Sequence, residues 1–148
     1  MKLKQLSVFL ENKPGRLSEP CQILAEAGVN IFTLSLADTQ QFGILRLIVS
    51  DEAAAREALE NAGAVVNETE VVALEVEDKP GGLENVLKEI ESCGINVEYM
   101  YAFTTFSQRN RAILVFRFEN PDRAVSELQG RGVNIVDSAE LNEMMKGV

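Results

Sequence analysis

The chain has 148 residues, of which 46% are hydrophobic, and its formal net charge is −9 at pH 7. A chain of this length forms one domain or two small ones, and this apolar content builds a core and argues against disorder. The acidic residues are spread along the sequence and would repel phosphate backbones, so we expect no nucleic-acid partner.

Histidine is absent, and the two cysteines, Cys21 and Cys93, are too few for a disulfide framework. We therefore expect reduced thiols, a cytoplasmic protein, no metal site and no cofactor. No catalytic residues are expected either, because no other base stands where a nucleophile triad needs a histidine. No apolar run approaches the roughly 20 residues of a membrane span, so we expect no membrane partner.

The predicted elements of the first half come in the order β-α-β-β-α-β. An alternating apolar pattern predicts a first strand, which a Lys-Pro-Gly break separates from an amphipathic helix running from about Arg16 to Ala27. Two further strands, an alanine-rich helix and a last strand follow, over 29–38, 43–50, 52–61 and 64–68.

The second half repeats this order. Strands are predicted over 71–77, 95–103, 111–118 and 133–137, and helices over 82–92 and 121–129. Each half then forms a four-stranded antiparallel sheet with both helices on one face, the α+β ferredoxin-like sandwich. A short C-terminal helix follows, in which Asp137 and Glu140 have the spacing of a capping box.

The two halves also share residues, which indicates an internal duplication. Seven of the twenty positions 11–30 are identical 66 residues later. Glu11, Lys13, Pro14, Gly15, Leu17, Gly28 and Asn30 recur as Glu77, Lys79, Pro80, Gly81, Leu83, Gly94 and Asn96. The offset later grows to 69, which places about three inserted residues between Phe103 and Ala112. We predict domains over 1–69 and 70–148.

No glycine or proline separates the last strand of the first half from the first strand of the second. We therefore predict a fixed relation between the halves, with sheets joined side by side into about eight strands. The second sheet would carry an apolar face opposite its helices, which predicts a homodimer. That face comprises Val71, Ala73, Tyr99, Tyr101, Ile113 and Val115.

The Lys-Pro-Gly turns are the candidate binding elements. Pro14 restricts φ and Gly15 permits a positive φ, so the turn delivers the chain into a helix whose free N–H groups attract an anion. Asn12 and Asn30 add amides that both donate and accept hydrogen bonds. A purely structural interpretation, a turn and a strand cap, stays open at this point.

A strand, the pattern N/D-K-P-G-x-L, a helix, G-V/I-N and a second strand together resemble an ACT domain, and both halves fit. The resemblance implies tandem ACT domains forming a non-catalytic regulatory module, which binds an amino acid at the interface between two such domains. In serine-sensing members, the loop after the first strand and an asparagine of the neighbouring domain hold the ligand. The implied site residues here are Asn12, Pro14, Gly15, Leu17 and Asn30, with Asp78, Pro80, Gly81, Leu83 and Asn96.

Three residues depart from the serine-sensing pattern. Leu10 and Val76 stand where a polar residue is expected, and Asp78 replaces the loop asparagine. Because a carboxylate repels a ligand carboxylate, we predict that the two sites are not equivalent. The alternative function is a ligand-free structural or protein–protein interaction module that acts on a metabolic enzyme or regulator.

Overall fold

The computed structural model of the protein describes residues 1–38, 40–103 and 110–146. Within these ranges the fold is α+β, with seven strands and five helices. The strands are β1 (Leu3–Glu11), β2 (Ile31–Asp38), β3 (Phe42–Val49), β4 (Val66–Glu77), β5 (Val97–Ala102), β6 (Arg111–Phe118) and β7 (Asn134–Val136). The helices are α1 (Ser18–Glu26), α2 (Glu52–Asn61), α3 (Gly82–Ser92), α4 (Pro121–Gly130) and α5 (Ser138–Lys146).

The chain divides into two compact units. The N-terminal unit is Lys4–Thr69, and the C-terminal unit is Glu70–Val148 together with Met1–Leu3. Strand β4 runs through the boundary, so two strands predicted separately over 64–68 and 71–77 are one. No glycine or proline interrupts this stretch, which lets the backbone stay extended. The described residues therefore hold seven strands where the sequence predicted about eight.

In the N-terminal unit, β3 lies between β1 and β2 and is antiparallel to both. The far side of β1 faces the residues that lead into β4, where the Phe9 amide donates to the Val65 carbonyl at 3.2 Å. One face of this sheet packs against α1 and α2. The fully buried core side chains are Leu6, Val8, Leu24, Leu45, Leu47 and Leu59.

In the C-terminal unit, β4 lies between β6 and β7, and β5 pairs with the other edge of β6. The order β7-β4-β6-β5 is that of a ferredoxin-like sandwich. Strands and helices contribute to its core, which includes Leu74, Ile90, Leu114, Phe116, Phe118 and Leu128. The rings of Phe116 and Phe118 stack with centroids 5.4 Å apart.

Side chains cap three of the helices. Asp51 accepts from the Ala54 amide at 3.0 Å at the start of α2, and Asn120 accepts from the Arg123 amide at 3.1 Å at the start of α4. The predicted capping box of α5 is confirmed: Glu140 N–H donates to Asp137 Oδ1 at 2.8 Å, and Asp137 N–H donates to Glu140 Oε2 at 3.3 Å. Each such cap stabilises its helix by about 1 kcal/mol.

The apolar face from which we predicted a homodimer is covered within the chain. Four of its members, Val71, Ala73, Ile113 and Val115, have no exposed surface. The homodimer stays a prediction, but this face does not supply the exposed apolar area on which it depended. The predicted insertion between 103 and 112 lies for the most part outside the described residues.

Candidate ligand-binding loops

Loop one, Asn12–Leu17, connects β1 to α1 by a turn that depends on a glycine. Gly15 has a φ of +85°, which a residue with a Cβ adopts only with strain. The Arg16 amide donates to the Lys13 carbonyl at 3.2 Å, which closes the turn. The Ser18 hydroxyl then donates to the Gly15 carbonyl at 3.0 Å where the helix begins. The sequence prediction of a positive-φ turn is confirmed here.

Loop two, Asp78–Gly81, makes the same kind of turn but enters its helix sooner. Gly81 has a φ of +88° and is the N-cap of α3, and the Gly82 amide donates to the Lys79 carbonyl at 3.0 Å. A Cβ built on Gly82 would lie 1.9 Å from the Glu77 carbonyl oxygen. Only glycine can bring the helix this close to the end of β4.

This close approach explains why α1 begins later than the sequence predicted. Arg16 stands at the position of Gly82, and its Cβ cannot follow the path that Gly82 takes. The chain therefore continues turning until Ser18, with Leu17 as the N-cap residue. The prediction of a helix from about Arg16 was wrong by two residues for this reason.

The lysine of each loop is paired with the glutamate that ends the preceding strand. Lys13 Nζ lies 3.0 Å from Glu11 Oε2, and Lys79 Nζ lies 2.5 Å from Glu77 Oε2. Hydrogen bonding and charge attraction from these lysines hold the pKa of the Glu11 and Glu77 carboxyls below the usual range. Each lysine charge is compensated by a glutamate. A ligand carboxylate is therefore attracted more strongly by backbone N–H groups at the helix start than by the lysine.

A small cleft of about 90 Å³ opens beside loop one. Its lining consists of Leu10, Glu11, Asn12, Lys13, Leu17, Leu36 and Gly43. Leu17 is 43% exposed and Leu36 is 45% exposed, so the cleft offers apolar surface at the edge of the sheet. Sequence reasoning missed Leu36 and Gly43, which meet only through strand register: Gly43 pairs with Asp38, two residues beyond Leu36 on β2.

Asn12 of loop one donates two hydrogen bonds to the hairpin between β2 and β3. Its backbone amide donates to the Gln41 carbonyl at 2.9 Å, and its side-chain amide donates to the Gln40 carbonyl at 3.4 Å. In loop two, the Asp78 amide makes the corresponding backbone bond to Asn110 at 2.7 Å. Asn12 and Asp78 therefore tie each loop to the start of the neighbouring strand.

The two predicted site asparagines, Asn30 before β2 and Asn96 before β5, lie away from the loops of their own units. Asn30 is exposed before β2, where its backbone exchanges two hydrogen bonds of 2.9 Å with Ser50. Loop one lies at the opposite end of the same sheet, because Glu11 pairs with Phe42 and Asp38 pairs with Gly43. The length of β2 separates the two by about 23 Å.

The C-terminal unit repeats this separation. Loop two adjoins the start of β6, where Glu77 pairs with Arg111. Asn96 lies beyond the other end of β6, where its backbone carbonyl accepts from the Glu119 amide at 3.2 Å. The structure thus places loop and asparagine of one unit at opposite ends of its sheet. A single amino acid cannot span them.

Two absences concern the described residues alone. No cluster of three or more His, Cys, Asp or Glu side chains suited to a metal ion occurs among them. None of the helices they form is long and apolar enough to cross a membrane.

The model of the ACT domain pair family matches residues 1–145, and the chain belongs to this family. This match confirms the tandem ACT resemblance, and the structure confirms the α+β fold of βαββαβ repeats. No curated protein matches the chain significantly.

Solved structures extend the comparison. The chain is 39% identical to protein BT0572 from Bacteroides thetaiotaomicron, covering 96% of both chains with a TM-score of 0.89. It is 18% identical to the ligand-free regulatory subunit of aspartate kinase from Thermus thermophilus, covering 86% of this chain and 91% of that one with a TM-score of 0.59. The corresponding subunit from Thermus flavus is 19% identical, covering 86% and 90% with a TM-score of 0.57. The Thermus subunits share the fold.

Proposed function

We propose that the chain is a cytoplasmic regulatory module without catalytic machinery that binds an amino acid at its Lys-Pro-Gly loops. The observation that carries this proposal is the duplicated loop, in which a positive-φ glycine delivers the chain into a helix start. Family membership supports it, as does the fold shared with regulatory subunits of aspartate kinase. The two ACT domains are assigned to 1–69 and 70–148.

The proposed ligand pose at loop one follows from its chemistry. The carboxylate lies at the start of α1 over the Leu17 and Ser18 amides, since Lys13 is paired with Glu11. The next two positions do not serve, because the Glu19 amide donates to the Gly15 carbonyl at 3.3 Å and Pro20 has no N–H. The side chain of the ligand lies against Leu17 and Leu36 in the cleft of about 90 Å³. We therefore expect a ligand with a small aliphatic side chain.

The ammonium group of the ligand requires an acceptor, and the side-chain carbonyl of an asparagine provides one. Because Asn30 lies at the far end of its own sheet, the asparagine at loop one must come from another ACT domain. That domain belongs either to the same chain or to the second chain of the proposed homodimer.

The two loops are proposed to differ in affinity. Asp78 places a carboxylate where loop one has Asn12, which disfavours a ligand carboxylate. The positions of Leu36 and Gly43 are held by Ala102 and Ala112 in the second copy, so loop two offers less apolar surface. Loop one is the stronger site for an aliphatic amino acid.

A second candidate function is a ligand-free module that docks on a metabolic enzyme or regulator. Exposed apolar side chains of the N-terminal unit favour it: Phe9 is 44%, Phe42 55% and Val65 62% exposed. Phe9 and Phe42 lie on neighbouring strands and Val65 directly precedes β4, and such exposure of apolar side chains is characteristic of interaction surfaces.

A thermal-shift screen of the twenty amino acids distinguishes the two functions. One or a few amino acids should raise Tm, and a ligand at 100 times its Kd should add about 2.7 kcal/mol to the free energy of unfolding. If none changes Tm at concentrations up to about 10 mM, where binding free energies fall to a few kcal/mol, the amino-acid site is rejected in favour of the docking module.

A further inference from the structure

The C-terminal unit contains a second cleft, away from the loop cleft already described. It has a volume of about 310 Å³ and opens between α3, the end of β4 and the turn that joins α4 to β7. Val76, Val86 and Val133 supply its apolar lining, and Glu89, Arg111 and Arg131 supply charge. This volume lies at the small end of the range for small-molecule sites.

Both guanidinium groups of this cleft are held by carboxylates. Arg131 Nη1 lies 3.3 Å from Glu89 Oε2, and Arg111 Nε lies 2.7 Å from Glu75 Oε1. A guanidinium has five N–H donors, so each pair leaves donors for another group. Arg131 and Glu89 are 38% and 44% exposed, which leaves both accessible from solvent.

The duplication provides a control for whether the fold needs these charges. With the offsets of 66 and 69 residues, five of the seven charged or amide residues of the cleft have an apolar counterpart in the N-terminal unit. Glu75, Glu89, Arg111, Arg131 and Asn134 correspond to Phe9, Ile23, Phe42, Ala62 and Val65. These five counterparts are apolar, so the ferredoxin-like sandwich forms without these five polar groups. The other two, Glu77 and Asn85, correspond to the charged Glu11 and Glu19.

We propose that this cleft is a second binding site, which takes a small zwitterion carrying a carboxylate and an ammonium group. The carboxylate binds the guanidinium of Arg131, whose planar donors match it, and the ammonium binds the neighbouring Glu89. The short aliphatic part lies on Val86 and Val133. A dianion fits less well, because the lining has three carboxylates and two guanidiniums.

The cleft adjoins loop two, because Glu77 and Gly82 line it, but Arg131, Glu89 and Val133 lie outside both loops. Chemical-shift titration of ¹⁵N-labelled protein separates the sites, because the Gly132 amide reports on the cleft, the Gly15 amide on loop one and the Lys79 amide on loop two. The probes are the twenty amino acids, with acetate for the carboxylate alone and methylammonium for the ammonium alone.

At least one amino acid should shift Gly132 saturably, with an affinity at least about tenfold above that of acetate or methylammonium. Arg131→Gln and Glu89→Gln should each weaken this binding about 10- to 100-fold. Lys88→Gln, which removes an exposed cation of α3 outside the cleft, should leave it unchanged.

Three results would overturn the proposal. One is a Gly132 amide that no amino acid shifts, whatever happens at Gly15. Another is binding that survives both Arg131→Gln and Glu89→Gln. The third is an acetate affinity equal to that of the best amino acid, which would show that the ammonium is not recognised. A response at Gly132 without one at Gly15 or Lys79 supports this site and rejects both loops.

Discussion

Loop one and loop two share the Lys-Pro-Gly motif, but the residues around the motif differ. Both place a glycine at a φ near +85° after Lys-Pro, with values of +85° at Gly15 and +88° at Gly81. Around that common turn, one unit has Arg16, Leu36 and Gly43, whereas the other has Gly82, Ala102 and Ala112. The two copies share the residues that the backbone turn requires and differ in the side chains around it.

The largest expected difference concerns Gly82 and its counterpart Arg16. In Gly82→Ala, the new Cβ would overlap the Glu77 carbonyl, so the helix must move and the free energy of unfolding should fall by about 3 kcal/mol. Arg16→Ala should change it by no more than about 0.5 kcal/mol, because the Arg16 side chain forms an exposed ion pair with Glu19. Urea unfolding of both variants measures this contrast, and equal losses would contradict it.

Gly15→Val tests whether loop one is a binding element. The positive φ should be strained by a β-branched residue at a cost of about 1–3 kcal/mol, although a Cβ here meets open space. We expect a folded protein that has lost binding at loop one and retains it at loop two. Calorimetric stoichiometry measures this once circular dichroism has shown the fold, with Gly81→Val as the reciprocal variant. Unchanged affinity and stoichiometry would identify the loop as a turn only.

Substitutions of Asn30 and Asn96 test which domain completes the binding site at each loop. Removing one hydrogen bond to a charged ligand group should cost about 1.5–3 kcal/mol, or about 10- to 150-fold in affinity. We expect Asn96→Ala to weaken the loop-one site and Asn30→Ala to weaken the loop-two site, since Asn30 lies at the far end of the sheet from loop one. A double-mutant cycle by calorimetry that couples Asn30 to Gly15 would contradict this assignment.

Gly43→Ala places an alanine in the loop-one cleft, as in the second copy, where Ala112 is the counterpart of Gly43. The added Cβ would lie 3.3 Å from Leu36 Cδ1, so a flexible side chain must shift slightly. We expect aliphatic amino acids to bind about threefold more weakly, while the free energy of unfolding changes by less than about 0.5 kcal/mol. Titration of leucine and alanine against both proteins measures the effect. A greater loss for alanine than for leucine would show that the cleft does not hold the side chain.

The smallest effect is electrostatic and should be the same in both loops. Lys13 and Lys79 hold the pKa of Glu11 and Glu77 below the ordinary value of 4.5. The folded pKa is the lower one, so the stabilisation is present above pH 4.5 and is lost as the pH falls through the folded pKa. Lys13→Met should raise the Glu11 pKa and leave that of Glu77 unchanged, as carboxyl NMR titration would show. An unshifted Glu11 titration would mean that the pair does not form in solution.

Local chemistry made most of the secondary structure predictable. Helix α2 has the predicted limits of 52–61, and α3 has the predicted limits of 82–92, because caps and glycine stops act within a few residues. Helix α1 was the exception: Gly82 in the second copy approaches the Glu77 carbonyl at the end of β4, and Arg16 has a Cβ that such a path does not admit. Periodicity alone does not contain that contact.

Residue types at short, regular spacing were enough to predict the duplication, the ACT resemblance, the βαββαβ order and the positive-φ turns. Which side chains meet across the sheet depends on the tertiary structure. Register places Leu36 and Gly43 beside loop one and Asn30 about 23 Å away. Helix packing brings Glu89 of α3 to Arg131, which directly follows α4 and lies 42 residues further along the chain. Contacts at such separations follow from packing and strand pairing, which no local pattern specifies.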